Sequence, residues 1–302
     1  IDCRVKFQKK SVSGYDRTNR KMSVRRTFSI CRKTYQRLIK AICTARYSRA
    51  TDQEKIFKAE LDKYRLLGLD HAQGIRKINQ ILGQELDLES VSSHLVLFSS
   101  LSVAPNNILD VLEIGTYKGE TANLLSRLFP AARVTTVDLP VSDPIFSRSY
   151  LGARGSSKRQ KSYEEELRQN VALENITYIE SNTFFLLSVL DGQFDLVWLD
   201  GGHKYPEVAW DACQAFWLCR PGGLIVFDDV IRHPKAVTTD KISGATSEVL
   251  TYIQQRTNCK VTYFLKRLAP EFNSIPRQRK YIAVLQKPAE ILGEESPTVG
   301  RS

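Results

Sequence analysis

The run Val111-Leu112-Glu113-Ile114-Gly115-Thr116-Tyr117-Lys118-Gly119-Glu120-Thr121 puts a carboxylate near the end of an apolar stretch and two glycines in the turn that follows. Glycine at a strand-to-helix turn lets backbone approach a ligand with no Cβ in the way. A loop built for a dinucleotide would read G-x-G-x-x-G, with the helix N-terminus aimed at the pyrophosphate. Here Tyr117 stands between Gly115 and Gly119, and Glu113 would repel a pyrophosphate. An anion at that tip suits a cationic ligand, such as one bearing an amino group and a sulfonium. Asp138, 19 residues after Gly119, closes a second apolar run. An acid there can accept hydrogen bonds from both hydroxyls of a ribose. Glu180-Ser181-Asn182-Thr183 follows a third run, within reach of an adenine. Each residue alone reads equally as a turn or a cap. As a set, Glu113, Gly115, Tyr117, Gly119, Asp138, Ser181 and Asn182 specify S-adenosylmethionine.

These residues need strands to carry them. From residue 108 onward short apolar runs alternate with helical patterns. Strands are expected at 108–114, 133–137, 176–179, 194–199, 223–227, 261–265 and 281–285. Helices are expected at 121–129, 163–173, 206–219 and 247–255. Such alternation predicts a parallel sheet covered on both faces. The last two strands have too little between them for a helical crossover, so they are expected to pair antiparallel. Upstream, residues 51–103 read as three helices. Phe57, Leu61 and Tyr64, extended by Leu67, form one apolar face, and Ile75, Ile78, Ile81 and Leu82 form a second. Residues 91–101 supply the third helix.

The stretch 108–230 resembles class I S-adenosylmethionine-dependent methyltransferases. Its E-I-G-T-Y-K-G loop is similar to the branch with Tyr at the middle glycine position, as in catechol-type O-methyltransferases. The runs Leu199-Asp200-Gly201-Gly202-His203-Lys204-Tyr205-Pro206-Glu207 and Arg220-Pro221-Gly222-Gly223-Leu224-Ile225-Val226-Phe227-Asp228-Asp229-Val230 resemble methyltransferase family 24, which includes O-methyltransferases acting on antibiotic sugars. The likeness spans about residues 105–287. It implies an α/β, Rossmann-like fold with a seven-stranded sheet and one reversed strand. The domain plan is then a basic extension over 1–50, a helical segment over 51–103, a methyltransferase domain over 104–287 and a flexible tail over 288–302.

If the sheet is ordered as the family implies, Asp200 and the pair Asp228-Asp229 close neighbouring strands. Three carboxylates crowded together need a counter-charge, or one must take a proton. Mg²⁺, a hard cation with oxygen ligands, resolves the conflict and gives Asp200, Asp228 and Asp229 as its expected ligands. A metal-held hydroxyl is a better nucleophile for in-line attack on a methyl group. His203, three residues past Asp200, is the expected general base, with Asp200 the alternative. Asp-Gly-Gly and Asp-Asp are also ordinary turn and cap sequences. Catechol-type enzymes carry Asp-Asn where Asp228-Asp229 stands, so Asp229 agrees instead with the sugar-methylating branch. His233 is a weaker candidate for the same cleft, and His71 and His94 read as structural. Tyr205, Trp210, Phe216 and Trp217 are expected to pack on the sheet, with Tyr205 nearest the cleft. The long segment 139–159 reads as a lid whose Arg148, Arg154, Lys158 and Arg159 would attract an anionic acceptor.

Composition narrows the alternatives. The 302 residues are 42% hydrophobic and 25% charged, ordinary for a globular chain. No run approaches the roughly 18–20 apolar residues of a membrane span. Cysteines 3, 31, 43, 213, 219 and 259 form no C-x-x-C pair, which points to reduced thiols and a cytoplasmic setting. Residues 1–50 hold 15 Lys/Arg against Asp2 and Asp16, whereas residues 51–302 hold 29 basic and 31 acidic side chains. The basic excess belongs to the extension, which lacks the apolar stretch of a secretory signal. The chain begins with Ile1 rather than Met, so its start is expected upstream. A nucleic-acid methyltransferase gripping its substrate with residues 1–50 is the alternative function. Asp200-Gly201-Gly202-His203 stands where base-amino methylating enzymes carry Asp/Asn-Pro-Pro-aromatic, which disfavours it. A cofactor-binding protein without turnover is a third reading. The expected acceptor is a hydroxyl on a sugar, glycan or small metabolite.

Overall fold

The computed structural model describes residues 37–105, 107–144, 157–233 and 243–289. Residues 1–36 of the expected basic extension, residues 145–156 of the expected lid with Arg148 and Arg154, the side chains of Lys158 and Arg159, and nearly all of the expected tail lie outside them. Seven strands form one sheet: β1 (Asp110–Ile114), β2 (Arg133–Asp138), β3 (Ile176–Glu180), β4 (Phe194–Leu199), β5 (Cys219–Val230), β6 (Lys260–Leu265) and β7 (Tyr281–Gln286). Their order is β3-β2-β1-β4-β5-β7-β6. β7 runs antiparallel to both β5 and β6, and every other pair is parallel. This is the expected sheet, with its single reversed strand.

The strands alternate their side chains between two cores. Leu112, Ile114, Val197, Leu199, Ile225 and Phe227 face the helices Glu207–Leu218 and Ala245–Arg256. Val111, Val134, Leu196, Trp198, Val226 and Val284 face the helices Gln53–Leu66, His71–Leu82, His94–Val103 and Glu120–Leu128. The N-terminal helices therefore share a core with the sheet. Gly74 lets the second of them lie against the third, since a Cβ there would run into the Ser100 hydroxyl.

The helix Glu207–Leu218 corrects one expectation. Val208, Ala212, Ala215 and Leu218 face the sheet, while Trp217 is 72% exposed. Small side chains at i, i+4 and i+7 let the helix approach closely; Trp217 turns to solvent, whereas Phe216 packs half-buried against the same core as expected. β5 is also longer than expected, because Cys219 already pairs with Phe194 before a register shift.

Candidate active site

The loop after β1 is held in an unusual conformation. Gly115, Tyr117 and Gly119 all have positive φ, at +100°, +50° and +75°. At Gly115 the backbone passes β4 so closely that a Cβ would fall 2.5 Å from the Asp200 carbonyl oxygen. The Asp138 carboxylate fixes the loop from β2, accepting from Tyr117 N at 2.7 Å and Leu139 N at 2.8 Å. The helix Ser157–Asn170 clamps it from outside. Tyr163 donates its hydroxyl to Tyr117 O at 2.8 Å, Asn170 Nδ2 donates to Lys118 O at 2.9 Å, and Lys118 pairs with Glu166 at 2.5 Å.

Glu113 lies beneath this loop and is 1% exposed. Thr136 donates to its Oε2 at 2.5 Å, and the Thr136 and Thr116 hydroxyls are 2.6 Å apart. Burial pushes the Glu113 carboxyl well up, and Asp200 and Asp138 add to the shift against the Thr136 hydrogen bond. A positive charge placed above it would offset that shift and favour the ionised carboxylate. Burial also raises Asp138, opposed by the loop amides that bond it. Ser181 N donates to Asp138 O at 2.9 Å, which ties the third strand end to the second. Asn182 caps a short 3₁₀ turn, its Oδ1 accepting from Phe184 N at 3.0 Å. Glu113, Gly115, Tyr117, Gly119, Asp138, Ser181 and Asn182 are thus gathered at the carboxyl ends of β1, β2 and β3.

The second half of the site lies on β4 and β5. Asp200 follows β4 directly. Asp228 and Asp229 sit at an irregularity in the pairing of β5 with β7, where Phe227 pairs with Ala283 but Val230 with Tyr281. One extra residue enters β5 there, and Asp229 takes φ +54°. A bulge of this kind re-aims side chains at a strand end. Ligand atoms of Asp200, His203 and Asp228 come within 4.8 Å of one another. His203 Nε2 is 3.5 Å from Asp200 Oδ1 and 4.0 Å from Asp229 Oδ2. Burial pushes the imidazole down, but Asp200, Asp229 and Asp228 outweigh it and the net shift is upward.

Two lysines absent from the sequence reading complete the cluster. Lys266 Nζ lies 2.5 Å from Asp228 Oδ2 and 2.6 Å from Asp229 Oδ1, and Lys280 pairs with the other Asp229 oxygen. Burial would raise Asp229, but Lys266 and Lys280 override it and hold the carboxyl down at about 2. Asp229 therefore differs from its expected place as a third metal ligand, because both its oxygens are taken by ammonium groups. Three carboxylates against two lysines leave one negative charge over, on the Asp200–Asp228 pair. Burial first, then Asp228, pushes Asp200 up to about 7. Among the described residues, Asp228 Oδ1 is buried without a hydrogen-bond partner. That orphaned oxygen beside Asp200 fits a small cation.

Strand pairing brings both lysines to the cluster. Lys266 follows β6 and Lys280 precedes β7, so the antiparallel hairpin returns both to the edge where β5 ends. Asp211 was missed as well. It is buried on the helix Glu207–Leu218, with Oδ1 unpartnered, and burial lifts it to about 6 despite a Thr183 hydrogen bond. Its carboxylate packs beneath Gly201 and supports the turn that presents Asp200 and His203. Trp210 donates to Thr183 O at 2.9 Å and stacks on Phe184, and Tyr205 is 52% exposed at the rim. His94 packs 5.2 Å from Trp198 with Ser92 on its Nδ1, and burial lowers it to about 4. His71 meets Tyr64 edge-on. Both histidines are parts of the packing.

Residues 112–230 match the family model described as Methyltransferase domain, the twenty-fourth of that name. No curated protein matches the chain. Among solved structures, the chain is similar to cofactor-bound Rv0187 from MTB, at 18% identity and TM-score 0.46, covering 78% of this chain and 91% of that one. It is also similar to the O-methyltransferase TomG from Streptomyces achromogenes in complex with SAM, at 16% identity and TM-score 0.41, covering 79% and 99%. A third is the O-methyltransferase from Bacillus cereus in complex with SAH, at 17% identity and TM-score 0.43, covering 71% and 90%. The family match falls on β1 through β5, so residues 112–230 are similar to a methyltransferase domain and lie on the seven-stranded sheet with its one reversed strand.

Proposed function

We propose that this chain transfers the methyl group of S-adenosylmethionine to a hydroxyl of a sugar, glycan or small metabolite, with a divalent cation assisting. The observation that carries the reading is the pairing of Asp200 with the orphaned Asp228 Oδ1, beside His203 and across the sheet edge from Glu113 and Asp138. Glu113, Asp138 and the positive-φ loop Gly115–Gly119 bind and orient the cofactor, with Ser181 and Asn182 at the adenine end. Asp200 and Asp228 would hold Mg²⁺, which prefers one or two carboxylates and keeps its remaining positions for water and substrate oxygen. Bound there, the ion would supply a lower hydroxyl pKa and a fixed attacking oxygen.

His203 Nε2 faces the same space and takes the hydroxyl proton as the oxygen attacks the methyl carbon. The C–S bond breaks as the O–C bond forms, and the thioether leaves neutral. Lys266 and Lys280 keep Asp229 ionised, and Lys266 fixes the Asp228 carboxylate, so the pair does not reorganise during the reaction. Intact acids at the ends of β1 through β5 favour turnover over mere cofactor binding.

Calorimetry with S-adenosylmethionine is expected to show binding in which NADH cannot substitute. Transfer of labelled methyl groups should then appear on hydroxyl acceptors and depend on Mg²⁺. NADH binding in place of S-adenosylmethionine would overturn the cofactor reading. Label appearing on RNA or DNA bases but on no hydroxyl acceptor would overturn the acceptor class.

A further inference from the structure

The helical residues 37–50 contain Arg37, Lys40, Arg46 and Arg49 and no acid. One face of this helix docks on the connection between β6 and β7. Lys40 Nζ stands 5.7 Å over the Phe272 ring, the Arg279 guanidinium 5.6 Å from the Tyr47 ring, and the Thr44 and Ser274 hydroxyls 3.3 Å apart. With 3.6 residues per turn, the opposite face carries Leu38, Ile42, Ala45 and Arg49, flanked by Ile39 and Arg46. Leu38 is 58% exposed, Ile42 45% and Ile39 38%. A surface helix ordinarily turns its apolar stripe toward the core. This one turns cationic and aromatic-facing side chains inward and an aliphatic ridge outward, bordered by arginines.

We infer that this helix is a docking element for an anionic lipid surface. Leu38 and Ile42 enter the boundary between headgroups and acyl chains, and Arg46 and Arg49 pair with acidic headgroups. Either contribution alone is weak, and an apolar insertion combined with basic residues is what makes peripheral attachment hold. Charge argues for lipid over a second copy of the chain, because residues 1–50 carry 15 basic side chains against two acids and two such segments would repel. A nucleic acid would match the arginines but leave the aliphatic ridge in water. No helix among the described residues is long and apolar enough to cross a membrane. Phe272 and Ser274 belong to the connection whose ends carry Lys266 and Lys280. Docking would therefore hold the carboxyl edge of the sheet beside the lipid.

Co-sedimentation of the full chain with vesicles tests this directly. Retention is expected on phosphatidylcholine mixed with phosphatidylserine, much less on phosphatidylcholine alone, and it should fall as salt rises. The double variant Leu38→Asp/Ile42→Asp should lose at least about tenfold in partitioning, with an unchanged unfolding midpoint because both side chains face solvent. Arg46→Gln/Arg49→Gln should also weaken retention. Full retention by Leu38→Asp/Ile42→Asp would overturn the inference, since attachment would then be charge alone. Retention on RNA or DNA but on neither vesicle would overturn it. So would a dimer that Leu38→Asp/Ile42→Asp converts to monomer, because a second copy would then cover the ridge.

Discussion

Replacing Lys266 by Met is the sharpest probe of the acid cluster. The ammonium contacts both Asp228 and Asp229, and its side chain is only 12% exposed. Met keeps the length and apolar stem but removes the charge. Asp229 retains Lys280, whereas Asp228 loses its Lys266 pairing and, among the described residues, already has a buried, unpartnered Oδ1. Breaking one side of a buried pair costs about 3–5 kcal/mol, because the remaining charge stays buried without compensation. For a chain of this size that is a fall in Tm of roughly 5–8 °C. Lys280→Met should cost far less, about 1 kcal/mol, since that side chain is 30% exposed and Asp229 keeps Lys266. Thermal and urea unfolding of the two variants, with and without Mg²⁺, measures both costs. Mg²⁺ should stabilise Lys266→Met more than the parent, because a dication can replace the missing ammonium beside Asp228. A loss below about 1 kcal/mol in Lys266→Met, or equal losses in the two variants, would show that burial of the pair is not what sets its strength.

Asp228→Ala should abolish Mg²⁺-dependent methyl transfer while leaving the Kd for S-adenosylmethionine within about twofold, because Asp228 lies outside the cofactor loop; turnover surviving the substitution would remove the metal role. Gly115→Ala should destabilise the fold by about 3 kcal/mol in urea unfolding, combining positive φ with a Cβ driven against the Asp200 carbonyl, and should erase cofactor binding. Tyr163→Phe removes the hydrogen bond to Tyr117 O that clamps the loop. Calorimetry should show cofactor affinity weakened about fivefold, equivalent to about 1 kcal/mol, and an unchanged affinity would mean that the loop holds its shape unaided.

The sheet and its reversed strand were legible because apolar runs and turns alternate with few ambiguities from residue 108 onward. The acids were legible because they end those runs: Glu113, Asp138, Asp200 and Asp228 each occupy a position that any parallel sheet turns toward its ligand edge. The lysines were not, and the reason is directional. Lys266 and Lys280 are 14 residues apart and border a hairpin, which by itself says nothing about chemistry. Only the pairing of Leu265 with Tyr281, and of Tyr281 with Val230, brings both beside Asp228 and Asp229. The bulge at Asp229 was equally hidden, since one extra residue in a strand leaves no mark in an apolar pattern.

Lys266 and Lys280 narrow what a cation has to do. Judged on acids alone, the cluster demands a dication for charge balance. With Lys266 and Lys280 in place, two of three charges are already matched, and the residual one sits on Asp200 and Asp228. The cation then has a narrower task than holding three carboxylates together. It need only replace the single proton that Asp200 would otherwise take from solvent, and in doing so bring a hydroxyl to the side of His203. A site neutralised mostly by its own lysines can stay folded without metal, so metal dependence should appear in turnover far more strongly than in the stability of the parent chain.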